Sequence, residues 1–247
     1  MKILALDSTA KAASAALWED EKVTAEFTLN NGLTHSEVLL PMAENICART
    51  GITFSNIDYY AVTVGPGSFT GVRIGVAAVK GLAFRISDEP IRNCVAISTL
   101  EALAENLAPL DGILCPVMDA RRGEVYNALF RMEGDRLVRL CPDRAISLAS
   151  LAEELEAMYP NVPVRLSGDG YDVAFSALAE RNISLLPTPM LLRTQNAASV
   201  AVCAARAVKA GEAVSDRALA PVYLRLPQAE RDRLKKEQQK ESEDTLS

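Results

Sequence analysis

Val64–Phe84 reads VGPGSFTGVRIGVAAVKGLAF, a glycine-rich entry followed by a segment of helical composition with almost nothing polar on it. The entry has the look of a loop that cradles a phosphate, whereas the helix has the look of a surface made to meet another protein. Between Gly71 and Phe84 only Arg73 and Lys80 are charged. Gly71, Gly75 and Gly81 each lower intrinsic helicity by about 0.5–1 kcal/mol relative to alanine, so together they remove about 2–3 kcal/mol that a tertiary contact must offset.

A helix that is apolar around its whole circumference is covered on every side. In a two-layer lobe one face packs on a sheet and the other ordinarily meets water, so a second protein on that outer face is the simplest resolution. The small ridge Gly71, Gly75, Ala78 would let a helix approach closely. The preceding helix, Thr34 to Arg49, supplies a matching stripe in Leu39, Met42, Ala43 and Ile46. Together with Val72, Val76, Val79 and Lys80 these residues form the expected contact, a subunit interface of standard size, about 800 Å² per partner. The alternative is that the two helices cover each other inside a monomer core.

The phosphate reading rests on Asp7, Ser8 and Thr9 at the end of the first strand and on Gly65, Gly67 and Gly71. Neither cluster is specific. The loop has GxGxxxG where a dinucleotide fingerprint needs GxGxxG, and no Lys-Ser/Thr pair follows to complete a GxxxxGK[ST] loop. A cradle made of backbone amides alone stays open.

The chain has 247 residues, 49% of them hydrophobic and 23% charged, an ordinary globular balance with room for two lobes. A net charge of −6 disfavours a surface that grips nucleic acid unaided. No apolar run is long enough for a membrane helix, and MKILALDSTAK has no signal-peptide pattern, so a cytoplasmic protein is expected. Five scattered cysteines read as small buried hydrophobes. The single histidine, His35, lies among consecutive first-turn residues whose side chains diverge, which leaves no hydrogen-bonded relay for a peptidase.

Along the chain the spacing predicts three short strands, then a helix from Thr34 with Thr34 and Glu37 as a capping box, Gly51 as its stop and Pro41 bending it. A strand at Tyr59–Val64, a helix at Thr70–Phe84, a strand at Asn93–Ile97 and a helix at Thr99–Leu107 follow. The order then restarts after Pro109. ILCPVMDA, EVYNALFRME and RLVRLC are three strands, followed by a helix Leu148–Met158, the strand VRLSG, a helix Asp172–Glu180 and a last helix Asn196–Ala210. This gives lobes at 1–108 and 109–227, with the last helix, 196–210, free to pack between them. Residues 228–247 form a charged, solvated tail. Asp119, Arg121, Arg122 and Glu124 read as a hairpin turn at the cleft between lobes.

LALDSTAKAASAAL, THSEVLLPM, VGPGSFTGVRIGVAAVKGLAF, AISTLEALA, MDARRGEVY, SGDG, RTQNAASVA and PVYLR, taken together, resemble the TsaB (YeaZ) family. The resemblance implies an α/β fold of the actin/Hsp70/sugar-kinase-like (ASKHA) type, with two similar lobes, each a mixed sheet with flanking helices. It implies a non-catalytic subunit in synthesis of threonylcarbamoyladenosine at tRNA position A37. Its partners would be a TsaD-type catalytic paralogue, met through the first two helices, and a TsaE-type ATPase, with a homodimer when the paralogue is absent. On this reading the chain holds no cofactor alone. ATP, magnesium and a metal belong to partner subunits, and tRNA is met only through the complex.

The paralogue's metal site has no counterpart here: by resemblance Thr99, Leu103 and Gln195 stand at its ligand positions. Asp7, Ser8, Thr9, Gly65, Gly67, Gly168 and Gly170 would be a vestigial nucleotide cleft. The competing reading is an ATP-dependent small-molecule kinase or ATPase of the same fold, with Asp7 as base or magnesium-orienting group, and a weaker third is the peptidase.

Overall fold

A computed structural model describes residues 1–84, 91 and 93–225. The expected charged tail, 228–247, lies outside the described residues. The chain builds two sheets of one design. In the first, β1 (Lys2–Asp7), β2 (Ala13–Glu19), β3 (Lys22–Leu29), β4 (Tyr59–Gly65) and β5 (Cys94–Ser98) lie in the order β3-β2-β1-β4-β5. β1, β2 and β3 pair antiparallel, whereas β4 and β5 join parallel. In the second, β6 (Ile113–Arg121), β7 (Glu124–Asn127), β10 (Arg144–Ser147), β11 (Val164–Ser167) and β12 (Leu185–Leu186) repeat the order and the senses as β10-β7-β6-β11-β12. A hairpin of β8 (Phe130–Glu133) and β9 (Arg136–Arg139) is inserted between β7 and β10. This repeated plan is the actin/Hsp70/sugar-kinase-like architecture.

Alternation along β1 explains why both faces of the first sheet carry helices. Leu4 and Leu6 share a core with α1 (His35–Thr50) and α2 (Phe69–Ala83). Ile3 and Ala5 face the other way, into a core with Ala16, Trp18 and α6 (Ala197–Lys209). The second sheet is sandwiched in the same manner. Cys115, Val117 and Leu166 pack with α4 (Leu148–Met158) and α5 (Tyr171–Ala179), while Leu114, Met118 and Phe130 pack with Leu100, Leu103 and Leu107 of α3 (Thr99–Leu107). The last helix thus lies on the first sheet, and α3, which follows a strand of the first sheet, covers the second. Asn106 ties the two helices together: its Nδ2 donates to Thr194 O (2.7 Å), and its Oδ1 accepts from Asn196 Nδ2 and Ser199 Oγ.

Two local expectations differ. Thr34 occupies the N-cap position of α1 but makes no side-chain cap bond; the Glu37 amide is held by the Thr34 carbonyl instead, at 2.9 Å. EVYNALFRME is two strands rather than one, because Leu129 and Ala128 turn inward between β7 and β8.

The apolar helix pair gives the main correction. Leu39, Met42, Ala43, Ile46, Gly71, Val72, Gly75, Val76 and Val79 are all buried in the chain's own first core, so these side chains are not a contact face. Gly71 and Gly75 do permit a close approach, but of α2 to Ser8. A Cβ on Gly71 would run into the Ser8 carbonyl, and one on Gly75 would lie 2.6 Å from Ser8 Oγ and 3.1 Å from Val62 Cγ2. Lys80 is committed as well, donating to the Leu219 carbonyl at 3.0 Å. The outward face of α2 is Thr70, Arg73, Ala77 and Gly81, all exposed, bordered by half-buried Ile74 and Ala78.

Candidate functional site: the glycine loop and the cleft between the sheets

The glycine loop holds the chain itself. The Ser68 amide donates to the Thr9 carbonyl at 2.7 Å, and the Gly71 amide donates to the Ser68 side chain, which caps α2. Gly65, at φ 124°, allows the Val222 carbonyl to come against it, and the Val222 amide closes the contact on Val64 O at 2.7 Å. The segment after Leu219 is strapped over α2 by Tyr223, which stacks on Phe69 at 4.3 Å and accepts a hydrogen bond from Arg73 Nε at 2.9 Å. Two of the amides that would cradle a phosphate, those of Ser68 and Gly71, are therefore engaged by the Thr9 carbonyl and the Ser68 hydroxyl, and the carbonyls of Thr9 and Val222 crowd Gly67 and Gly65, which goes against reading Gly65, Gly67 and Gly71 as a nucleotide loop.

Asp7 is buried beneath the same loop, 1% exposed. Its Oδ1 accepts from the Thr9 amide and hydroxyl, both at 2.8 Å. Burial raises its pKa, against the lowering effect of the Thr9 bonds and the nearby Thr63 hydroxyl. Neither Asp7 Oδ2 nor Thr63 Oγ1 completes a hydrogen bond of good geometry. A carboxyl enclosed to this degree has no access to a substrate hydroxyl or a magnesium ion, so the geometry does not provide the kinase role for Asp7.

The open cavity lies elsewhere, between the two sheets. It measures about 480 Å³ and is walled by Ala10–Ala12 of the first unit and by the ends of β6 and β11 and the 190–195 segment of the second. Of the expected vestigial cleft only Gly168 borders it; Gly170 is buried at the start of α5, and Asp7, Ser8, Thr9, Gly65 and Gly67 are not among its walls. The hairpin turn at Arg122 does reach this cleft, through Asp119 and Arg121, which form an ion pair at 3.1 Å. Asp169 accepts from the Asp119 amide at 3.2 Å, and burial is the largest cause raising its pKa.

Sequence reasoning missed Tyr171 and Arg193 as cleft residues. Arg193 lies over the Tyr171 ring at 3.8 Å, a pairing across 22 residues for which spacing offers no signal.

Thr99 and Gln195 are buried, and Thr99 Oγ1 and Gln195 Nε2 have no hydrogen-bond partner. A hydroxyl, an apolar Leu103 and an amide N–H donor do not fit a metal ion. Among the described residues no group of three or more His, Cys, Asp or Glu side chains is gathered to hold one, and no helix is long and apolar enough to cross a membrane.

Comparison with known proteins agrees with this architecture. The family described as TsaD, tRNA N6-adenosine threonylcarbamoyltransferase, matches over residues 25–244. The tRNA threonylcarbamoyladenosine biosynthesis protein TsaB of Bacillus subtilis (strain 168) is 36% identical over 63% of this chain and 66% of its own length. The TsaB protein of Escherichia coli (strain K12) is 38% identical over 54% of this chain and 56% of its own. These matched regions thus span about half to two-thirds of the curated relatives. The solved structure of YeaZ from Pseudomonas aeruginosa superposes with a TM-score of 0.75 at 26% identity, covering 90% of this chain and 99% of that one. On the matched length, the motifs and the fold, the chain belongs to the TsaB (YeaZ) family, whose curated members are named for tRNA threonylcarbamoyladenosine biosynthesis.

Proposed function

We propose that the chain is a non-catalytic subunit of the complex that makes threonylcarbamoyladenosine at tRNA position A37, and that it holds a TsaD-type catalytic paralogue in its working shape. The observation that carries this reading is the outward ridge of α2. Ala77 and Gly81 are small, exposed and one turn apart, with open space where a Gly81 Cβ would stand. Leu40 of α1, 40% exposed, and Phe84, 59% exposed, add apolar surface on the same pair of elements. A facing helix can approach such a ridge closely, and the buried stripe beneath it keeps the ridge rigid.

On this reading the contact uses Ala77, Gly81, Ile74 and Leu40 rather than the buried set, and the same face supports a homodimer when the paralogue is absent. A partner that binds one of two conformers about 100-fold better shifts their balance by about 2.7 kcal/mol. ATP, magnesium, a metal and the TsaE-type ATPase belong to the rest of the assembly, and tRNA is met through it. The donor set at Thr99, Leu103 and Gln195 supports the non-catalytic role.

The test is reconstitution of A37 modification with the TsaD-type and TsaE-type proteins, with and without this chain, beside calorimetric titration of the isolated chain with ATP and magnesium. Modification that requires the chain, together with negligible nucleotide heat, is expected. Full modification without it would overturn the reading, and tight stoichiometric ATP binding would favour the kinase alternative.

A further inference from the structure

The cleft between the sheets carries a chemistry that neither the helix contact nor the family likeness uses. Gln195 is 5% exposed, borders the cleft, and buries its Nε2 with no acceptor. A buried amide donor without a partner is uncommon in folded proteins, and an oxygen supplied by a ligand removes the penalty. Two residues away, Arg193 is fixed in place: its Nε donates to the Thr188 carbonyl at 2.7 Å, and its plane lies 3.8 Å from the ring of Tyr171, itself 7% exposed. The terminal guanidinium nitrogens make no hydrogen bond or ion pair among the described residues. They are donors held in position for a carboxylate.

Acids on another wall complete the pattern. Asp119 is occupied by the amide and guanidinium of Arg121, at 2.7 and 3.1 Å. Asp169 uses only Oδ1, on the Asp119 amide; burial and then the charge of Asp119 raise its pKa against that amide and the charges of Arg121 and Lys11, and a cation beside Oδ2 would favour its ionised form. Asp169 Oδ2 and the exposed carboxylate of Asp172, which also borders the cleft, are thus left to receive a cation. A phosphate dianion would bring its second charge against Asp119, Asp169 and Asp172, where Arg121 is already paired with Asp119 and Lys11 is, besides Arg193, the one further cation among the described residues of the walls, whereas a molecule with one charge of each sign matches both walls. A cavity of about 480 Å³ is of ordinary small-ligand size.

We propose that this cleft binds a small zwitterion of the α-amino-acid type, its carboxylate taken by Gln195 Nε2 and the Arg193 guanidinium and its ammonium by Asp169. The site is independent of the outward ridge of α2, so it stands or falls apart from the subunit reading.

The experiment is amide chemical-shift titration of the ¹⁵N-labelled full chain with each standard amino acid in turn, and separately with acetate, ethylammonium and inorganic phosphate. At least one amino acid is expected to move the amides of residues 168–172 and 193–195, and to bind roughly tenfold or more tightly than acetate or ethylammonium, the effect of one charge-assisted hydrogen bond. Gln195→Leu keeps the side-chain volume and removes the orphaned donor, so it should fold at least as well while losing the amino acid and acetate alike. Asp169→Asn should weaken the amino acid to the level of acetate. Absence of cleft shifts with every amino acid, tighter binding of phosphate, or undiminished shifts in a folded Gln195→Leu chain would each overturn the proposal.

Discussion

Gly75→Ala tests whether the glycines of α2 serve the chain's own core. The methyl would stand 2.6 Å from Ser8 Oγ and 3.1 Å from Val62 Cγ2, against an ordinary contact of 3.4 Å or more. Ser8 is 1% exposed and its hydroxyl donates to the Gly71 carbonyl at 2.8 Å, so it can yield only by abandoning that bond. Overpacking of this kind costs about 1–3 kcal/mol, and stranding the buried hydroxyl adds to it. Alanine in place of glycine inside a helix returns about 1 kcal/mol, so the expected net loss is about 1–2 kcal/mol. Gly81→Ala is the reference. Its methyl meets nothing within 4 Å, so only the propensity term acts and stability should rise by about 0.5–1 kcal/mol. At about 2–4 °C per kcal/mol for a chain of this size, thermal unfolding followed by circular dichroism should show the two Tm shifts with opposite signs. Ser8→Ala removes the nearest obstructing atom, so in a double-mutant cycle it should recover part of the Gly75→Ala loss. A Gly75→Ala chain as stable as the parent, or one whose loss is untouched by Ser8→Ala, would refute the packing argument.

Other perturbations separate the remaining assignments. Asp7→Asn should gain relative to the parent as pH rises. Because burial raises the folded pKa above the ordinary 3.8, the acid's contribution is fully present below that value and is lost as pH climbs through the folded pKa, whereas an amide does not titrate. Urea unfolding of both chains from pH 3 to 8 checks the sign, and a difference that does not change with pH contradicts it. Ser68→Ala removes the side chain that holds the Gly71 amide and should lower stability by about 1 kcal/mol, while Thr34→Ala, with no cap bond to lose, should change it by only a few tenths. Ala77→Arg, on the exposed side of α2, should leave the far-ultraviolet spectrum intact and abolish co-purification with the TsaD-type partner; retention of the complex would remove α2 from the contact.

The plan of the fold was legible because each sheet is written twice in hydrophobic runs of the right length. Thr99–Leu107 and Leu148–Met158 have the expected ends because Ser98 and Ser147 cap them through their side chains. Arg144–Ser147 escaped notice because all four residues are only half-buried and show no alternation. The direction of α2 was misread for a physical reason. Alanine and glycine count as apolar, yet Ala77 and Gly81 present so little surface that leaving them in water is nearly free, so a helix without charges need not be covered all round. The cleft was hardest to foresee. Lys11, Asp169, Arg193 and Gln195 come from loops far apart in the chain, and only the closure of two sheets on each other brings them to one cavity.

The crossed helices have a consequence for how the molecule comes into being. Because α3 shields the sheet made by later strands and α6 returns to shield the first, a cut near residue 108 would leave each half with a bare apolar wall. Neither fragment should reach a native form by itself, and a nascent chain must wait for α6 to emerge from the ribosome before its first sheet is sealed. The same reciprocity limits swivelling of one half on the other, since each carries a helix belonging to its neighbour's foundations.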